Sequence, residues 1–168
     1  GYVYGHEHTT VWRFTNVPAG MPRKYHHRGW TCFESCLAAN KAFQDDKVFS
    51  FSDTFDPTNE ATRQAGFWRK YRQTASPPCS PERFAELLWG CEQEVKNVWA
   101  PFNKVFAEPA DKNIVVAKFR EAWDEQRRVR ELDFKSVGWG DTEAMQLAAL
   151  LPSFCNLEAL RLTGNRIG

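Results

Sequence analysis

The sequence predicts a mixed α/β protein on three observations: short segments that alternate apolar and polar residues, longer segments with helical periodicity, and a C-terminal unit that recurs at constant spacing. With 168 residues the chain can bury a sizeable core, as one domain or as one domain plus a piece of another. Its apolar (42%) and charged (26%) fractions are ordinary for a globular protein, and seven Trp with thirteen Phe argue against disorder.

Taken in order, TTVWRF (9–14) and KVFSFSD (47–53) are short and alternate, as strands do. Between them RGWTCFESCLAANKAF (28–43) is helical, with Trp30, Phe33 and Leu37 on one stripe and Cys32, Cys36, Ala39 and Phe43 on another. The proline-rich TASPPCSP (74–81) is a boundary. Ser80 and Pro81 then open a helix in which Phe84, Leu87, Leu88, Val95 and Val98 recur, until Pro101 stops it. A further helix is expected from about Asp111 to Arg128 with Ile114, Val115, Phe119, Ala122 and Trp123 inward. Three regions result: a partial mixed region (1–76), a helical connector (77–128) and a repeat region (129–168).

Charge and motifs exclude several functions. A net charge of +1, with only the short basic patches RKYHHR and QRRVR, supplies no field to hold nucleic acid. No apolar run is long enough to cross a bilayer, and GYVYGHEHTTVW lacks the layout of a signal peptide, so a soluble cytoplasmic protein is expected. The five cysteines (32, 36, 79, 91, 155) are odd in number and form no CxxC pair, which favours reduced thiols. His6, His8, His26 and His27 set no tetrahedral geometry; no metal and no cofactor are expected. Nucleophile elbow, P-loop, dinucleotide fingerprint and HExxH motifs are absent from the sequence.

The strongest signal is internal. VRELDFKSVGWG (129–140) lies over LEALRLTGNRIG (157–168) at a constant offset of 28 residues without a gap. Val129, Leu132, Phe134, Trp139 and Gly140 fall on Leu157, Leu160, Leu162, Ile167 and Gly168. Between them Ala144, Leu147, Ala148 and Leu151 recur at helical spacing behind Asp141, an expected N-cap, and Pro152 ends the helix. The spacing L-x-x-L-x-L-x-x-N-x-I with a helix between resembles the leucine-rich repeats of the ribonuclease-inhibitor class. That resemblance implies one to two units of an α/β solenoid. It also implies that Asn165 satisfies backbone groups in the turn, and that the first unit, with Val137 at that place, is a cap. It further implies that the array continues past Gly168, so that this chain is a fragment whose last unit has an open apolar face and frays.

In YHHRGWTCFES, Tyr25, Trp30 and Glu34 sit at the spacing of the Y-x-x-x-x-W-x-x-x-E segment of Toll/interleukin-1-receptor-like (TIR) domains, and FSDTFDP, with Asp56 and Pro57, resembles the strand-to-DP segment that follows it. The resemblance implies that Glu34 corresponds to the glutamate that TIR-type NAD hydrolases use at the nicotinamide glycosidic bond, with Trp30 as a stacking wall. In such chemistry a carboxylate stabilises an oxocarbenium-like centre. The first strand and loop of such a domain would lie upstream of Gly1. The plainer alternative makes Glu34 an exposed face residue or an ion-pair partner of Arg28 or Lys41. Over most of the chain, RGW-x-x-x-E followed by helices and repeats is similar to large, mostly uncharacterised protist repeat proteins.

The leading expectation is an interaction or signalling scaffold. Its protein partner sits on the concave face lined by Arg130, Glu131, Asp133, Glu158, Ala159 and Arg161, unless those are merely solvated charges. It predicts that Trp123 and Phe119 pack on Val129, Leu132 and Phe134. The alternative is a TIR-like NAD hydrolase, active or degenerate, regulated by the repeats. NAD enters only there, and a perturbed, pocket-facing Glu34 is its mark.

Overall fold

The computed structural model describes residues 3–6, 8–17, 19–20, 25, 28–42, 47–51, 56, 58–60, 67, 71, 75–89 and 106–168. Their elements make a mixed α/β protein. A short 3-10 turn (Val3–Gly5) precedes β1 (Val11–Phe14), α1 (Gly29–Ala39) and β2 (Val48–Phe51). After these come α2 (Pro81–Trp89), α3 (Asp111–Gln126), β3 (Glu131–Asp133), α4 (Asp141–Leu150), a 3-10 turn (Leu151–Ser153) and β4 (Ala159–Arg161).

β1 and β2 pair in parallel, Val11 with Val48 through Phe14 with Phe51, as the connecting helix α1 requires. Thr31 Oγ1 donates back to the Arg28 and Tyr25 carbonyls and ties the first turn of α1 to the segment before it. The helix ends at Asn40, whose buried side chain brackets Cys79: Nδ2 donates to the Cys79 carbonyl (3.0 Å), and the Cys79 N–H donates to Oδ1 (2.6 Å). The proline-rich stretch is therefore packed into the molecule, with Ala75, Pro78, Cys79 and Pro81 buried.

Among the described residues two apolar cores follow. In the first, Phe33 and Leu37 of α1 meet Phe84 and Leu88 of α2, Val115, Val116, Phe119 and Ala122 of α3, and Phe106. Phe84 and Phe119 stack at 4.2 Å. Gly29 lies directly under Phe106; an added Cβ would be 2.1 Å from that ring. The second core gathers Ala42, Ala75, Trp123, Leu132, Phe134, Val137, Trp139, Leu147 and Phe154. Trp123 alone of the α3 aromatics reaches it, meeting Phe154 edge-on at 5.6 Å, whereas Phe119, expected there too, is taken up by Phe33 and Phe84. Ile114 was expected inward but is exposed, and Val116 takes the buried place. An arc centred on Val115, Phe119 and Ala122 faces the other helices, and Ile114 falls outside it.

β3 and β4 also pair in parallel, with Glu131, Leu132 and Asp133 against Ala159, Leu160 and Arg161, so the 28-residue offset of the sequence is the register of the pair. Backbone bonds hold that offset closely along the unit. Arg130 O accepts from Glu158 and Ala159, Phe134 donates to Arg161 O (2.9 Å), Ser136 to Thr163 O (2.9 Å), and Arg166 to Trp139 O (2.7 Å). Ser136 and Gly164, one offset apart, both have positive φ (53° and 76°) and turn the chain after each strand. α4 is capped by Gly140 and not by Asp141. The Glu143 carboxylate accepts from the Gly140 N–H (2.9 Å), while Asp141 begins the helix and accepts from Gly168 N (3.1 Å). Within α4 only Leu147 is buried, and Ala148, expected inward, is exposed. Leu132 is 1% exposed but its counterpart Leu160 is 36%, and Trp139 at 0% has the counterpart Ile167 at 40%; the second unit's apolar side is open.

Candidate functional site

Two groups of the expected residues come together, one on the β3–β4 pair and one around α1. On the β3–β4 pair the short strands alternate. Leu132 points into the core, and Glu131 and Asp133 share the opposite face with Arg161, their cross-strand neighbour. Arg161 Nη1 lies 2.9 Å from Glu131 and 3.6 Å from Asp133, Lys135 Nζ is 3.1 Å from Asp133, and Arg130 is 3.6 Å from Glu158. Partial burial pushes the Asp133 carboxyl up, but the backbone N–H, side chain and charge of Lys135, with Arg161, outweigh it and hold the pKa below its ordinary value. The face is thus a mixed-charge ladder. The Arg130–Glu158 pair is exposed, and such pairs are individually weak, whereas Glu131 and Asp133 are partly buried beside Arg161.

Asn165 fixes the edge of this face. Its Oδ1 accepts from the Gly138 (3.0 Å) and Trp139 (3.1 Å) N–H groups of the first unit. Its Nδ2 donates to Phe134 O (2.7 Å) and, in its own unit, to Leu162 O (2.8 Å). One amide therefore uses all its donors and acceptors on four backbone groups, two of each kind.

The second group surrounds α1. Glu34 is half-buried; burial pushes its carboxyl pKa up, and a hydrogen bond from the Tyr4 hydroxyl partly offsets this. Tyr4 is thus a close neighbour of Glu34, while Lys41 donates to Thr9. The charge of Glu34, with burial, raises the Tyr4 pKa in turn. Tyr25 is also half-buried. Burial raises its pKa against the opposing Arg13 charge and a hydrogen bond from Ser35, and Glu34 adds to the rise. Tyr25 and Glu34 are thus neighbours. Trp30 is engaged elsewhere: its Nε1 donates to Asp111 (3.0 Å), and its ring packs edge-on to Phe33 and Phe106. Asp56 sits in an exposed turn, accepting from the Thr58 N–H and hydroxyl, which lower its pKa. Pro57 lies outside the described residues.

Two further residues are prominent: Lys41, named from the sequence only as an ion-pair partner of Glu34, and Arg13, which sequence reasoning passed over. Lys41 is fully buried; Nζ donates to the Thr9 carbonyl and to Thr9 Oγ1, and burial, with Lys47, pushes its pKa down to about 8. Its position four after Leu37, just past the end of α1, was the available signal. Arg13, inside β1, donates from Nε to Ser50 (3.1 Å) and from Nη1 to Ser35 (3.4 Å). The alternation of β1 puts it on the face opposite Trp12 and Phe14.

Among the described residues no three of His, Cys, Asp or Glu are grouped as metal ligands, and no helix is long and apolar enough to cross a membrane. His26 and His27 lie outside the described residues, as do Cys91, Val95 and Val98. Compared with protein-family models, with curated proteins and with solved structures, the chain gives no match.

Proposed function

We propose that this chain is part of a cytoplasmic protein-interaction scaffold whose last forty or so residues are leucine-rich-repeat units of the ribonuclease-inhibitor type, with a protein partner on the face of Arg130, Asp133, Glu158 and Arg161. What carries the reading is the backbone ladder between β3 and β4, kept in a 28-residue register and locked at its edge by Asn165. A unit whose apolar side needs the next unit builds an extended surface by stacking. The mixed charges of that surface suit a polar protein partner. A photo-crosslinking residue at Ala159 should capture protein in cells of the native source, while the same residue at Met145, exposed on α4, should not. Equal capture from both positions refutes the assignment of the face.

A second reading, a TIR-like NAD hydrolase, active or degenerate, is favoured by one observation: Glu34 is partly buried, with a raised pKa, on the helix that links two parallel strands. Its test is NAD turnover by the folded chain beside Glu34→Ala. Turnover lost in the variant supports it, and no turnover in either sinks it.

A further inference from the structure

Arg13 is a half-buried cation whose hydrogen-bond acceptors are neutral. Nε is bonded to Ser50, the residue paired with Arg13 on β2, and Nη1 to Ser35 on α1, so the guanidinium lies between sheet and helix. Among the described residues, no carboxylate is within ion-pair distance of it. Burial lowers its pKa and only Tyr25 opposes that, although an arginine so placed stays protonated. A charge taken partly out of water without a counter-charge is costly, and two serine hydroxyls replace only part of its hydration.

The surrounding donors have a direction. Among the described residues two of the five guanidinium N–H groups have acceptors, and the rest of the fork can serve another. Ser35 accepts from Arg13, and Tyr25 lies close enough for its phenol and the Arg13 charge to bear on each other. Ser50, accepting from Arg13, has its own proton to give. Arg13, Tyr25, Ser35 and Ser50 are all partly exposed. A fixed guanidinium fork with several hydroxyl donors suits an anion with three or more oxygens better than a carboxylate with two.

We propose that Arg13, held by Ser50 and Ser35 and joined by Tyr25, anchors a binding site for the phosphate group of a small molecule. The site does not depend on the repeat reading, and it stands whether or not Glu34 cleaves anything. Glu34 carries the opposing charge on the Tyr25 side and weakens the binding of any anion while it is ionised.

The test titrates the chain, separately, with inorganic pyrophosphate and with NAD, by calorimetry and by amide shifts of β1 and α1. Saturable binding of pyrophosphate is expected, weakened about tenfold or more in Arg13→Gln and partly kept in Arg13→Lys. Glu34→Gln should bind several-fold more tightly. Binding of NAD well above pyrophosphate identifies a dinucleotide; equal binding identifies the phosphate group alone. If Arg13→Gln fails to fold, Ser50→Ala, which trims the cradle and keeps the charge, should still weaken binding several-fold. No saturable binding of either anion, or a folded Arg13→Gln that binds as the native chain does, overturns the proposal.

Discussion

Replacing Asn165 by Ala removes four hydrogen bonds at once while leaving the apolar cores untouched. The bond at Gly138 is exposed, and water takes it over at almost no cost. The three at Trp139, Phe134 and Leu162 are partly buried; at about 1 kcal/mol net each, and with partial access of water, the loss should be about 2–3 kcal/mol. For a chain of 168 residues that lowers the melting temperature by roughly 5–10 °C. Urea unfolding followed by circular dichroism measures it. The midpoint should fall with an unchanged slope, and the amides of Gly138 and Trp139 should lose protection from hydrogen exchange. Asn165→Asp should be no better, because a carboxylate keeps the acceptors but turns them on the Phe134 and Leu162 carbonyls. A loss below about 0.5 kcal/mol, the level of an ordinary surface change, refutes the claim that this amide locks the two units together.

Trp123→Ala should cost about 3–5 kcal/mol in equilibrium unfolding, because Trp123 ties α3 to the core of Leu132, Phe134 and Phe154. Gly29→Ala should cost about 1–3 kcal/mol, since its methyl meets the Phe106 ring and the buried ring has to move; a thermal melt decides. Lys41 gives a pH signature. Its pKa is lowered in the fold, so the unfolded chain binds the extra proton and stability rises with pH from about 8 towards the ordinary 10.5. Lys41→Met should flatten that rise in urea midpoints taken between pH 8 and 10. Tyr4 and Tyr25, whose pKa values are raised, act with the opposite sign only above 10.

The legible parts of the fold were those that local pattern dictates. Both paired segments of the first sheet, the helix between them and the 28-residue register came from periodicity alone, because alternation and helical spacing are written in adjacent residues. The role of Asn165 was legible only through the resemblance, which expects an Asn in the turn after the strand. Contacts between distant segments were not. Nothing near Asn40 announces Cys79, and nothing near Trp139 announces that its indole N–H donates to Ala75 O (2.6 Å). Trp30 and Glu34 share a helical face on spacing, yet Asp111, eighty-one residues on, takes the Trp30 N–H and turns that side chain toward α3. Arg13 read as the polar member of an alternating strand. That alternation carries no sign that Ser35 and Ser50 would be its acceptors.

The proposal that β4 belongs to a stacking repeat unit has one direct measurement. The chain is lengthened past Gly168 by a further unit in the same register, with apolar residues aligned to Leu157, Leu160, Leu162 and Ile167 and Asn aligned to Asn165. Stacked units stabilise one another through their interfaces, so the lengthened chain should melt several degrees higher in a single transition, with the Leu160 amide newly protected from exchange. An unchanged melting temperature, with the added unit exchanging freely, would contradict the account.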